Sequence, residues 1–155
     1  IKNKNIKDFL GKPIIYYSIK IAIESKCFDE VMVSTDDIEI KNIAEKYGAN
    51  VPFMRSEKNS DDNATIKDVL IEVLHQYKKK NINFDYMCCI FPTAPLMKLE
   101  NLLLGFEKIK DFEYVFAVTP FSFPVQRSLI IDNNSLATSD LFTKPEQTIL
   151  KSPHF

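Results

Sequence analysis

The chain of 155 residues predicts an α/β fold, with a mostly parallel sheet flanked by helices. Three observations carry that expectation. Short apolar runs alternate with stretches of helical period. One of those runs, Tyr86-Met87-Cys88-Cys89-Ile90-Phe91, is apolar throughout, as a strand buried on both faces of a parallel sheet is. The composition, 45% hydrophobic and 26% charged, supplies enough apolar material for one domain with a real core.

Each element has its own signal. Pro13 opens the first helix at its first turn, and Ile15, Ile19, Ala22 and Ile23 recur behind it at helical spacing. After Cys27-Phe28-Asp29 comes the short strand Val31-Met32-Val33, which stops at Ser34-Thr35-Asp36-Asp37. Those side chains suit the cap of a second helix, whose stripe is Ile40, Ile43, Ala44 and Tyr47 and whose stop is Gly48. Val51-Pro52-Phe53 is extended and leads to Arg55. A polar loop over 56–63 carries Asp61-Asp62. The third helix lines up Ile66, Val69, Leu70, Val73, Leu74 and Tyr77 and ends in Lys78-Lys79-Lys80. The apolar run 86–91 is broken by Pro92-Thr93-Ala94-Pro95. A fourth helix carries Leu99, Leu102, Leu103, Phe106 and Ile109. Tyr114-Val115-Phe116-Ala117-Val118 reads as a further buried strand, broken by Thr119-Pro120. Beyond it, 126–131 reads as a strand and Asp132-Asn133-Asn134-Ser135 as a hairpin turn. Residues 144–155 hold two prolines and no clear period, which suits an arm or part of an interface.

Several function classes are unsupported. Twenty Lys+Arg against 21 Asp+Glu leave no basic excess for nucleic acid. No apolar run comes near the roughly 20 residues that span a bilayer, and the first residues are polar, so neither a membrane span nor a signal peptide is expected. Cys27, Cys88 and Cys89 have no metal or redox spacing, and a reduced, cytoplasmic compartment is the simplest expectation. Three glycines leave no GxGxxG and no GxxxxGK[ST]. His75 and His154 fit no Ser-His-Asp or Cys-His arrangement.

In open α/β sheets ligands bind beyond the carboxyl ends of the strands. That rule selects Ser34-Thr35-Asp36-Asp37, Arg55, Pro92-Thr93-Ala94-Pro95 and Thr119-Pro120-Phe121 as one rim. Each cluster also has a plain structural role open to it. The first can simply cap a helix, Asp61-Asp62 can be a solvated loop, and Lys4 can be ordinary surface. Arg55 can form a surface ion pair, and the two prolines can simply end a strand.

Five ordered motifs go further. Lys4-Asn5-Ile6-Lys7-Asp8-Phe9-Leu10-Gly11-Lys12-Pro13 resembles the opening of the acylneuraminate (CMP-sialic acid type) cytidylyltransferases, where it follows a phosphate-binding ARGGSKR loop. The resemblance continues through Val33-Ser34-Thr35-Asp36-Asp37, Val51-Pro52-Phe53 with Arg55, Asp61-Asp62, and Phe91-Pro92-Thr93-Ala94-Pro95-Leu96. Pro120-Phe121-Ser122-Phe123-Pro124-Val125-Gln126-Arg127 is similar to the pseudaminic acid branch in particular. The resemblance covers about residues 1–131. It implies a Rossmann-like, mostly parallel sheet of the nucleotide-diphospho-sugar transferase type and a single nucleotidyltransferase domain over 1–155. The sequence would then be a portion of a longer enzyme, without the ARGGSKR loop and the C-terminal part. Residues 120–155 are expected as a dimerisation arm.

The implied reaction is attack of a nonulosonic acid's anomeric hydroxyl on the α-phosphate of CTP, releasing pyrophosphate, with Mg2+ as cofactor. Position by position, the resemblance makes Lys4 a catalytic and nucleotide-binding residue. It places Asn5, Arg55 and Thr65 on the nucleotide, and Phe91, Pro92, Thr93, Ala94, Gln126 and Arg127 on the sugar. The metal ligands are not assigned. The partners implied are CTP and a nonulosonic acid, with a homodimer, no nucleic acid and no membrane. The sialic acid enzymes read QPTSPLR where this chain has Phe91-Pro92-Thr93-Ala94-Pro95-Leu96-Met97, a more apolar surround that suits the methyl group of pseudaminic acid. Three alternatives stay open: a CMP-N-acetylneuraminate synthetase, another nucleotidyltransferase of the same fold, and a catalytically inactive binding domain.

Overall fold

Between Asp8 and Pro13 the chain makes a tight reversal. In the computed structural model, which describes residues 3–61 and 63–118 together with the backbone of 130–131 and 137–138, β1 (Asp8–Phe9) pairs antiparallel with β2 (Lys12–Pro13). Leu10 and Gly11 both have positive φ, 51° and 80°, as a two-residue hairpin turn that matches strand twist requires. Pro13 therefore belongs to β2, and α1 (Ile15–Ser25) starts two residues beyond it. The reason is local. The amide of Ile14 donates to the Lys7 carbonyl at 2.8 Å, extending the hairpin up to the helix.

The helical stripes place the core. α1 buries Ile15, Ser18, Ile19 and Ala22, one face at three- and four-residue spacing, whereas Ile23 lies off that face and is exposed. In α2 (Ile38–Lys46) the Asp37 carboxylate accepts from the amides of Glu39 and Ile40 at 2.7 and 3.2 Å, meeting two of the helix's free N-terminal donors. The helix ends into Gly48, whose φ of 92° suits glycine. Ala44 of α2 is fully buried and packs with Ile15, Ile19, Ala49 and Val51 in one cluster, with Val31, Val33, Ile40 and Met54 against it.

Two extended segments run parallel beneath these helices. Asn50 donates to the Val31 carbonyl at 2.8 Å and accepts from Val33 at 2.9 Å, and Met32 bridges Asn50 in parallel sense. Farther along, Arg55 donates its amide to the Thr35 carbonyl at 2.9 Å. Among the described residues the architecture is thus α/β, with helices, two small antiparallel hairpins and this one parallel pairing.

The expected burial of 86–91 on both faces does not hold. Tyr86, Met87 and Phe91 are exposed, as are Cys88 and Cys89, and among the described residues no strand lies beside the segment to cover them. Tyr114, Val115 and Phe116 are likewise exposed rather than buried. An apolar run is a buried strand only when neighbours supply its hydrogen bonds and cover its faces.

α3 (Ile66–Lys79) opens on a capping box. Thr65 accepts from the Asp68 amide at 3.2 Å, and Asp68 accepts from the Thr65 amide at 3.1 Å. Val73 and Tyr77 are its buried residues, and the Tyr77 ring meets Phe53 and Phe84 edge-on. The Tyr77 hydroxyl donates to Glu30 at 2.8 Å, which also accepts from Asn50. Burial first, and then the neighbouring carboxylate, push the Tyr77 phenol far above its usual value, so it stays a donor. α4 (Leu99–Lys108) buries Leu102 of its predicted stripe.

The chain divides into two units, Ile1–Phe116 and Ala117–Phe155. The second contains β3 (Ile130–Ile131) paired antiparallel with β4 (Ala137–Thr138), the hairpin expected around Asp132-Asn133-Asn134-Ser135. Apart from these strands, the expected arm over 120–155 lies outside the described residues. Among those residues no helix is long and apolar enough to cross a membrane.

Candidate functional site

A groove of about 620 Å³ opens in the first unit between the parallel pair, α1, α3 and the 86–91 segment. Its floor is apolar, from Ile15 and Ile19 of α1, Val31 and Val33, and the predicted stripe of α3. That stripe is therefore legible in the sequence but turned toward the groove. Ile66 and Leu74 within it remain exposed.

The polar groups gather at the groove's rim. Asn3, Lys4 and Asn5 enter from the 3-10 turn Lys4–Ile6, whose preceding residue Asn3 takes a left-handed backbone, φ 53°. Asparagine is among the residues that tolerate that conformation. Lys4 is exposed there. Asn5 is half-buried, and its side-chain Oδ1 is buried without a hydrogen-bond partner among the described residues. From the end of the first parallel segment come Ser34, Thr35, Asp36 and Asp37, and from the end of the second comes Arg55. Thr35 is only 2% exposed, and its hydroxyl accepts from the Asp37 amide at 3.1 Å, which sets the turn leaving the strand.

Arg55 is held from two sides. Its amide is tied to Thr35, and its Nη2 donates to Asp36 Oδ1 at 2.9 Å. Its Nε is buried and has no partner among the described residues. The hydrogen bond from Arg55 is the first cause that holds the Asp36 carboxyl below its ordinary value, with burial opposing it. An ion pair this exposed adds little stability, so its consequence is geometric: it orients the guanidinium across the rim.

At the opposite wall stand Phe91 and Pro92. Their position is set by α1. The buried Ser18 hydroxyl donates to the Phe91 carbonyl at 2.9 Å, and the Ala94 amide donates to the same oxygen at 3.2 Å. Tyr17, the preceding residue of α1, donates to the Phe9 carbonyl at 2.7 Å and fixes the β1–β2 hairpin. One helix thus locates both the 91–94 turn and the hairpin that follows Lys4 and Asn5. Sequence reading overlooked Ser18. The available signal was a lone hydroxyl at helical spacing between Ile15, Ile19 and Ala22.

The groove brings together Lys4, Asn5, Arg55, Phe91 and Pro92. Thr93 is exposed and Ala94 half-buried in the turn, and neither lines it. Thr65 also stands apart, with its hydroxyl committed to the capping box of α3. Asp61 accepts from the amides of Asn63 and Ala64 at 3.0 and 2.8 Å, a local turn. Asp62, Thr119-Pro120-Phe121, Gln126 and Arg127 lie outside the described residues. Packing around the sulfurs of Cys88 and Cys89 pushes both thiols up, which disfavours the reactive thiolate.

Among the described residues the rim carboxylates assemble no set of three ligands for a divalent metal, and each is engaged through its Oδ1, Asp36 by Arg55 and Asp37 by the α2 amides.

The same chain resembles known proteins along nearly its whole length. A family model described as cytidylyltransferase matches residues 1–150. Over 137 residues the chain is 42% identical to the pseudaminic acid cytidylyltransferase of Campylobacter jejuni, covering 87% of this chain and 59% of that protein. It is 36% identical over 136 residues to a Helicobacter pylori protein named pseudaminic acid cytidylyltransferase and UDP-2,4-diacetamido-2,4,6-trideoxy-beta-L-altropyranose hydrolase, covering 86% of this chain and 26% of that one. Over 144 residues it is 32% identical to the CMP-N,N'-diacetyllegionaminic acid synthase of Legionella pneumophila, covering 92% of this chain and 62% of that protein. The chain therefore spans less than two thirds of the length of each of these relatives. With the family's model running from residue 1 to residue 150, this chain belongs to the cytidylyltransferase family.

Proposed function

We propose that the protein carrying this chain activates a nonulosonic acid, pseudaminic acid foremost, with CTP. The observation that carries the proposal is the groove itself, which joins Lys4, Asn5 and Arg55 to Phe91 and Pro92 in a chain of this family. In the reaction the anomeric hydroxyl oxygen of the sugar bonds to the α-phosphorus of CTP. The bond from that phosphorus to the α–β bridging oxygen breaks, the hydroxyl proton is released, and pyrophosphate leaves. Such chemistry is mainly positioning and charge neutralisation.

Each rim residue has a part in that proposal. The Lys4 ammonium neutralises phosphate charge from an exposed, mobile position. Asn5 offers a lone buried acceptor and Arg55 a lone buried donor. A ribose hydroxyl or an exocyclic amine satisfies the first and a carbonyl oxygen the second, so a bound cytidine nucleotide repairs two unmet hydrogen bonds. Phe91 and Pro92 give the sugar an apolar wall, which favours a methyl over a hydroxymethyl group. Thr93, Ala94, Gln126 and Arg127 stay in the proposal as sugar-side residues, and Thr65 as a nucleotide-side residue. Mg2+ stays as the cation that a triphosphate carries with it, with no ligand assigned from this chain.

The sheet belongs to the proposal as well. In a Rossmann-like, mostly parallel sheet, 31–33, 51–53, 86–91 and 114–118 are all strands. The parallel pairing at Met32 and Asn50 supports this. So does the groove's position between 31–35 and 86–91, because Val31 and Val33 use one edge and leave Met32 and Ser34 facing the other. A homodimer and a cytoplasmic location complete the reading.

The test is pyrophosphate release by the full-length natural protein with magnesium, for CTP against ATP, GTP and UTP, each with pseudaminic acid and N-acetylneuraminic acid. Turnover with CTP and pseudaminic acid is expected. Turnover with CTP and only N-acetylneuraminic acid would keep the reaction and sink the argument from Phe91. No turnover by the folded protein with any pair would leave a binding domain instead.

A further inference from the structure

Glu72 lies on α3, outside the groove, in a smaller surface recess shared with Lys58, Asp68 and His75. No motif singled it out, yet three donors converge on it. One carboxylate oxygen accepts from the Ser56 amide at 2.8 Å. The other accepts from the Ser56 hydroxyl at 2.8 Å and from the Asn59 side-chain amide. Ser56 is the residue directly after Arg55, so the anchor sits one peptide bond from the rim guanidinium.

The loop beyond the anchor closes back toward the same arginine. The 3-10 turn Glu57–Asn59 is followed by Ser60, whose hydroxyl donates to the Ser56 carbonyl at 2.8 Å. Arg55 is therefore tied to Thr35 and Asp36 on its near side, and through Ser56 to α3 on its far side. A loop of 55–60 held at one end only would sweep the guanidinium across the rim. Held at both ends, it presents one orientation.

We propose that Glu72 is a positioning residue that clamps the 56–60 loop to α3 and so fixes Arg55 for the nucleotide. The proposal rests on the nucleotide reading given above for Arg55. A carboxylate suits the task because it only accepts, and all three groups facing it donate. Burial pushes the Glu72 carboxyl up, but the bonds from Asn59 and Ser56 outweigh it and leave it below its ordinary value, so the charged form is kept at neutral pH.

The test compares wild type, Glu72→Gln, Glu72→Gln with Asn59→Asp, Ser56→Ala and Arg55→Lys in the full-length natural protein, following KM for CTP, KM for the nonulosonic acid, kcat and melting temperature. Glu72→Gln turns an amide toward two donors, and the expected result is a rise of about tenfold in KM for CTP. The other two kinetic constants should stay within about twofold, since the group touches neither the sugar nor the reacting atoms. The double variant exchanges donor and acceptor across the pair, and KM should return toward wild type. Should Glu72→Gln fold poorly, Ser56→Ala removes one of the three bonds and is expected to raise the same KM about threefold. An unchanged KM for CTP in Glu72→Gln and Ser56→Ala, beside a raised one in Arg55→Lys, overturns the positioning role. So does an equal loss in every constant together with a lower melting temperature, the mark of a merely structural residue. Failure of the unmutated protein to use CTP overturns the nucleotide reading itself, and the positioning role with it.

Discussion

Asp36 and Arg55 were both picked from the sequence as residues at strand ends, and their pairing at 2.9 Å has a consequence for pH. The Asp36 pKa is lowered in the folded protein, chiefly by the Arg55 hydrogen bond. A carboxyl with a depressed folded pKa adds stability above its unfolded value of about 3.9, and loses it as the pH falls through the lower folded value. Asp36→Asn should therefore cost a little stability at neutral pH, little because the pair is half-exposed, and the two proteins should converge as the pH falls below about 4. Urea midpoints of the two proteins at acid and neutral pH decide this; parallel curves would refute it. The residue types at the rim could be read from the sequence. Which atoms were already spent could not, because Asp37 bonded to helix amides and Asp37 free for a ligand are spelled the same way.

At the scale of elements, four helices follow the apolar stripes closely, since a stripe of period 3.6 needs only some apolar surface to meet. Their starts were legible where a capping side chain marked them, as at Asp37. The start of α1 was not, because Pro13 fits a strand end as readily as a first helical turn. Thr65 shows the limit of carrying a role by resemblance alone. Its hydroxyl and amide both serve the capping box with Asp68 at the head of α3. Thr65→Ala is expected to cost about 1 kcal/mol of stability, the usual loss for a removed cap. A denaturation midpoint shifted by that amount with KM for CTP unchanged would make Thr65 a capping residue only. A large rise in KM without the stability loss would return it to the nucleotide.

At the scale of the molecule, the groove and the sheet are one question. The 86–91 segment is apolar but exposed, and the edge of 31–34 opposite Asn50 faces the same groove. If the proposed parallel sheet is correct, amides of 86–91 in the full-length protein bond to neighbouring strands. Hydrogen exchange should then find them protected at least as well as those of α1. Exchange at the rate of an open loop would rule those residues out as a central strand and leave the groove as a surface cleft.

The sequence by itself determined the helical stripes, the α/β class and the family. Those depend on local periodicity, on capping chemistry and on the order of short motifs, all of which survive in a linear string. Tertiary structure alone decided that Arg55 meets Asp36, that Ser18 holds the Phe91 turn, and that Glu72 grips the loop behind Arg55. It also decided that 86–91 lies exposed. The physical reason is the same throughout: burial and hydrogen-bond partnership are relations between segments far apart in the chain, and no single segment encodes which neighbour will be there.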